Sequence, residues 1–353
     1  LRQRPDHGSC HRRNGMIQRH DLQVRAWSHG MKFGLTLALI LAAAPSLAET
    51  AAGVAHLRET SVEARPLSLT VWYPSGAPAS ARIGGNPVFE GVPAAPEAPF
   101  PDGALPLVVV SHGGLRSAAD SGAWLSASIA RAGFVAVEVN APRPENAAQA
   151  LDEIWQRPRD IRRAINLVLA DATWGPRIDG RNLSVAGVAL GATAALSVAG
   201  ADLDGARYLR SCVPGSPPEG PDCGWLAAKG ANLAETRRDG LAGMARDPRV
   251  TSVIAVNPEY PAALGSPPAD VRTLRIWLGS RDGASGGDRT GRSVAMPGAS
   301  VFDAFAVCTA AGPEILMAED GEAAICGVSA EARETIHHDL SEAVISFLEG
   351  DAG

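Results

Sequence analysis

The chain has 353 residues, 46% hydrophobic and 20% charged, with 38 Gly and 26 Pro spread without period. That composition excludes a collagen, a coiled coil and a disordered tail protein, and the length suffices for a large buried core. The net charge of −6 is uneven: residues 1–48 hold seven basic and two acidic side chains, and the rest carries 25 basic against 36 acidic, an acidic body that argues against nucleic acid or an anionic membrane surface as partner.

In chain order, residues 1–30 lack apolar periodicity and read as sequence upstream of the natural start. Met31, Lys32, the apolar run Phe33–Ala44 and Ser46-Leu47-Ala48 fit a secretion signal over 31–48, with cleavage expected before Glu49. The run is too short for a membrane span and no later run reaches spanning length, so an exported protein is expected, periplasmic or secreted. Beyond the signal four cysteines remain, Cys212, Cys223, Cys308 and Cys326. An even count in an oxidising compartment predicts two disulfides. Three pairings are open, and the local one costs least in loop closure. The spacings do not resemble metal knuckles, and no metal is expected.

Leu67–Tyr73 alternates and predicts a strand, and Gly76–Gly103 reads as loop. Leu105–Val110, Phe134–Val139, Leu183–Ala186, Val250–Val256 and Leu274–Leu278 are continuous apolar runs of the kind that form strands buried on both faces. Between them Ala123–Ala132, Asp152–Leu169 and Ala192–Ala199 read as helices, and Ala332–Leu348 as an amphipathic closing helix. Such alternation predicts an α/β class, a mostly parallel sheet with helices on both faces. Residues 201–248 break the rhythm with Pro, Gly and two Cys. They are expected to form a cap-like, disulfide-bearing excursion over the C-terminal edge of the sheet, within a single domain spanning 49–353.

Parallel sheets carry their sites at the C-terminal ends of strands. Three such ends stand out: Ser111-His112-Gly113-Gly114, Gly187-Val188-Ala189-Leu190-Gly191 and Gly279-Ser280-Arg281-Asp282-Gly283. The second has the spacing of a nucleophile elbow, in which Gly187 and Gly191 let strand and helix pass closely around a strained central residue.

These features, with Leu69-Thr70-Val71-Trp72-Tyr73-Pro74, the Asp152–Ile161 stretch containing Arg157-Pro158-Arg159-Asp160-Ile161, and Phe302-Asp303-Ala304-Phe305 before Cys308, resemble the exported dienelactone-hydrolase-like α/β-hydrolases, related to platelet-activating-factor acetylhydrolases. The resemblance covers nearly all of Leu67–Leu348. It implies the α/β-hydrolase fold and ester hydrolysis by a Ser–Asp–His triad, with no metal or organic cofactor. Here the nucleophile position is Ala189, its usual His neighbour is Val188, the base position is Val301, and the acid maps to Asp282. The oxyanion donors implied are the N–H of Leu190 and one from Gly113–Gly114.

The four remaining histidines do not supply a substitute base. His56 is expected to be exposed ahead of the first strand, His112 to pack and shape its loop, and His337 and His338 to be solvated helix residues. Ser111, Ser121 and Ser280 lie near strand ends, with no base expected within reach. Arg157, Arg159 and Asp160 are expected to fix their helix against the loop after Val139. Losing nucleophile or base costs roughly a million-fold in turnover. The expected reading is therefore a degenerate hydrolase, with a pocket for a small carboxylate or acyl-ester ligand. The alternatives are an ester hydrolase with a relocated nucleophile and a scaffold or interaction protein.

Overall fold

Runs of Val, Leu and Ile with period-two side chains build the centre of the molecule. The computed structural model describes residues 50–115, 117–213, 222–279, 291–319 and 321–350. Among them lie ten strands: β1 (Ala52–Glu59), β2 (Leu67–Tyr73), β3 (Ala81–Ile83), β4 (Val92–Pro96), β5 (Leu105–Ser111), β6 (Val135–Asn140), β7 (Ile178–Val188), β8 (Val250–Val256), β9 (Arg272–Leu278) and β10 (Arg292–Met296). They form one sheet in the order β10-β9-β8-β7-β5-β6-β2-β1-β4-β3. From β10 to β6 every pairing is parallel, and β2 runs antiparallel to both β6 and β1.

The helices are α1 (Ala123–Arg131), α2 (Ala147–Ala150), α3 (Glu153–Ala170), α4 (Leu190–Val198), α5 (Gly205–Tyr208), α6 (Cys223–Ala228), α7 (Arg238–Ala242), α8 (Gly312–Ala318) and α9 (Ala330–Glu349). Alternation along the strands sorts the core into two layers. Val108, Val110, Ala186, Val188, Ile254 and Val256 face α1 and α9, whereas Leu107, Val109, Leu183, Val185, Val253 and Ala255 face α3 and α4. Each fully buried Val, Leu or Ile stabilises by about 1.5–3 kcal/mol over an exposed one. This is the α/β-hydrolase fold. No described helix is long and apolar enough to cross a membrane.

The excursion between α4 and β8 carries α5, α6 and α7. Its Tyr208, Leu209, Leu226 and Leu233 pack with Trp155 of α3, Leu190 of α4 and Tyr260 after β8, so it lies on the C-terminal edge of the sheet. Cys212 pairs with Cys223 inside it, and Cys308 pairs with Cys326 in the segment after β10.

Several expectations are corrected. The stretch 76–103 contains β3 and β4, and β1 precedes β2. Pro93 and Pro96 in β4 disguise it, and Pro is tolerated there because the strand lies near the sheet edge. His56 is exposed but lies within β1, not ahead of the first strand. β10, whose residues are all exposed or half-buried, is an edge strand without a core signature. His337 is buried, not solvated: its ring stacks on Trp124 of α1 at 3.8 Å between centroids. The expected signal over 31–48, residues 1–30, Ser280 and Asp282 lie outside the described residues.

Candidate functional site

The elbow forms where β7 turns into α4. Ala189 has φ 55° and ψ −124°, a conformation that costs a residue with a Cβ on the order of 1–3 kcal/mol. The two glycines permit it. A Cβ on Gly187 would overlap the carbonyl of Gly191, and one on Gly191 would overlap the carbonyl of Ser111. The strained turn of a nucleophile elbow is thus complete, with a methyl group at its apex.

The turn after β5 is braced against the elbow. Gly113, at φ 83°, donates its N–H to Val188 O at 3.1 Å and accepts from the Gly191 N–H at 3.3 Å. Arg157 of α3 donates to Gly113 O at 2.6 Å and Gly114 O at 2.8 Å, and its Nε donates to Glu153 at 3.1 Å. The Gly113 N–H is therefore engaged internally.

A buried acid lies beside the same turn. Glu259 lies two residues beyond Asn257, in the loop after β8. Its Oε1 lies 3.3 Å from the point a Gly114 Cβ would occupy, with Asp222 Oδ2 3.9 Å from the same point. Asn257 at φ 48° and Tyr260 at φ 55° bend the loop, and Thr193 Oγ1 donates to Glu259 O at 2.7 Å, fixing the backbone. Glu259 is 5% exposed and its carboxyl Oε2 has no hydrogen-bond partner. Burial first, then the negative Asp222, pushes Glu259 up to about 8, against the opposing pull of Arg157 and the Leu190 N–H. Sequence reasoning passed over Glu259, because a lone acid after an apolar strand reads as a loop residue.

Val301, expected from the resemblance at the base position, opens a short 3-10 helix, Val301–Ala304, and is 47% exposed. Two buried imidazoles hold this segment from behind. His112 Nε2 lies 2.9 Å from Ala304 O, and His337 Nε2 lies 2.9 Å from Phe305 O. A carbonyl only accepts, so Nε2 carries the proton in both rings. Burial chiefly lowers both to about 4.

His112 packs and shapes its loop as expected, yet its other nitrogen corrects an expectation. Ser121 Oγ lies 3.2 Å from His112 Nδ1. With Nε2 protonated, Nδ1 holds a lone pair and the Ser121 hydroxyl donates to it. A serine does therefore have a base within reach; the approach of α1 to the end of β5 brings the two together. They line a cleft with Ser111, Glu138, Asn140 and Arg143. The adjacent Gly122 N–H, however, donates to Glu138 Oε1 at 2.6 Å.

The Asp152–Ile161 stretch does different work from that expected. Arg157 holds the turn after β5, not the loop after Val139. Asp160 and Glu153 bind Arg65, at 2.8 and 2.7 Å, and Arg159 lies over the Trp155 ring at 4.5 Å. Among the described residues, one group of side chains, His338, Asp339 and Glu342, is close enough to gather a metal ion. All three are exposed on α9, and nothing marks them as a built site.

No protein-family model and no curated protein matches this chain. Among solved structures it is similar to a ferulic acid esterase from Streptomyces cinnamoneus, at 17% identity and a TM-score of 0.47, over 87% of this chain and 91% of that one.

Proposed function

We propose that this chain is an exported relative of the dienelactone-hydrolase-like α/β-hydrolases whose elbow no longer performs acyl transfer. The observation that carries the reading is Ala189 at the strained apex of the turn between β7 and α4. A methyl group cannot attack an acyl carbon, and Val301 cannot take up a proton. Residual acceleration from binding and backbone donors is about a thousand-fold over water. The fold then serves to hold a ligand or a partner.

A second reading is favoured by the Ser121–His112 contact. In it Ser121 Oγ attacks the acyl carbon of a small ester, its proton moves to His112 Nδ1 and then to the departing alkoxide, and water hydrolyses the acyl-serine. Two features weigh against it. The orienting group is the neutral Ala304 carbonyl, which stabilises an imidazolium less than a carboxylate does. A base held near 4 is about three pH units below the useful range, a penalty of about 4 kcal/mol at neutral pH.

Purified protein incubated with p-nitrophenyl acetate and butyrate, and with a fluorophosphonate probe followed by peptide mapping, separates the two. The first reading expects no burst and no labelled serine. Labelling at Ser121, lost in Ser121→Ala, would establish the second.

A further inference from the structure

We propose that the cleft at the ends of β5 and β6 is a binding site for a short α-hydroxy carboxylate, its hydroxyl held between Glu138 Oε2 and Ser121 Oγ and its carboxylate on Arg143. The inference deepens the reading of a silent elbow on a fold that holds a ligand, and rests on it.

The site is built from two neighbouring parallel strands. β5 ends in Ser111 and leads into His112, while β6 carries Glu138 and ends in Asn140, and all four residues line the cleft. Such strand ends are where parallel sheets hold ligands. Gly122 lets the two sides close: the point its Cβ would occupy lies 2.8 Å from His112 Cβ and 2.9 Å from Glu138 Oε1. The cleft has a volume of about 50 Å³, room for about four waters, which sets the ligand at a few non-hydrogen atoms.

The polar groups of the cleft are of definite kind. Glu138 is 1% exposed; its Oε1 accepts the Gly122 N–H at 2.6 Å, and its Oε2 is buried with no hydrogen-bond partner. Burial first, then the negative Asp120, pushes this carboxyl well above the usual carboxylate range. With Oε1 engaged, the proton sits on Oε2, a donor lacking an acceptor. Ser121 is the opposite case: its proton goes to His112 Nδ1, which leaves Oγ as an acceptor. A hydroxyl group both accepts and donates, so it meets the two needs at once.

Charge supplies the third point. Glu153 and Asp160, which also line the cleft, hold Arg65, and Arg157 is committed to Glu153 and to the carbonyls of Gly113 and Gly114. Arg143 is exposed on the same lining and has no partner among the described residues. A carboxylate matches the fork of its guanidinium.

Calorimetric titration of the purified full chain with sodium glycolate, lactate and acetate tests the site. Glycolate and lactate are expected to bind about tenfold more tightly than acetate, which lacks the hydroxyl. Arg143→Gln, a change at an exposed position, is expected to weaken glycolate about tenfold or more. Glu138→Gln keeps an acceptor for the Gly122 N–H and an N–H donor in place of Oε2, and is expected to retain the preference for glycolate over acetate. Absence of glycolate binding to wild type, equal affinity for glycolate and acetate, an unaltered Arg143→Gln, or a Glu138→Gln that no longer prefers glycolate each overturns the proposal. Failure here leaves the elbow silent. Ester turnover by wild type would instead sink the silent-elbow reading, whatever the titrations give.

Discussion

At Ala189 a residue with a Cβ holds a backbone conformation that L side chains rarely adopt. A residue with φ 55° and ψ −124° is held there by the surrounding structure: its N–H donates to Val256 O at 3.0 Å, and its carbonyl receives the N–H groups of Ala192 and Thr193. Glycine at this position relieves the strain, so Ala189→Gly is expected to raise stability by about 1 kcal/mol in urea unfolding. Ala194→Gly, in the interior of α4, is expected to lose about 1 kcal/mol under the same conditions. Equal losses at both positions would mean that the elbow is not strained. The Gly-x-x-x-Gly spacing was legible because sterics alone demand it. Glu259 and the Ser121–His112 contact were not: Glu259 comes from a loop far along the chain from the elbow, and Ser121 meets His112, nine residues away, only through the fold of the turn between β5 and α1, which no local pattern encodes.

Helix α3 is the element that fixes the mouth of the fold. Its Glu153 and Asp160 are buried and hold Arg65, while Arg157 reaches across to the two glycine carbonyls of the turn after β5. Both hydrogen bonds depend on the planar fork of a guanidinium, which an ammonium does not reproduce. Arg157→Lys is therefore expected to destabilise by about 2 kcal/mol, and Arg157→Ala by about 3 kcal/mol because Glu153 loses one of its cations. Denaturant midpoints measure both, and a neutral Arg157→Lys would argue against a bracing role. The sequence marked this stretch as special but pointed it at the wrong loop. Helical periodicity fixes which face of α3 is buried, whereas the loop met by a long arginine depends on how β5 and β6 are stacked. The same limit hid β1, β4 and β10, whose short or half-exposed strands lack the apolar run that made β5, β7 and β8 legible.

For the molecule as a whole, buried acids make stability depend on pH. Glu259 is pushed up to about 8 in the folded chain from an ordinary carboxylate value near 4.5. Between those values the folded state binds the proton and the unfolded state does not, so this group's contribution is complete below about pH 4.5 and lost as pH rises through about 8. Wild type is expected to lose about 4 kcal/mol relative to Glu259→Gln between pH 5 and pH 8. Parallel pH dependence in the two proteins would show that Glu259 is already ionised when folded. The buried His112 and His337, both lowered to about 4, act with the opposite sign, and their contribution is lost as pH falls through about 4. Taking the difference between the two proteins cancels them. The sequence by itself determined the layered α/β fold and the glycine-flanked alanine at the elbow, because hydrophobic period and side-chain chemistry are local properties. Only the tertiary structure decided what gathers around the turn after β5. A carboxyl from the loop after β8, an aspartate from the excursion and an arginine from α3 meet at Gly114 through packing of segments that the chain order keeps apart.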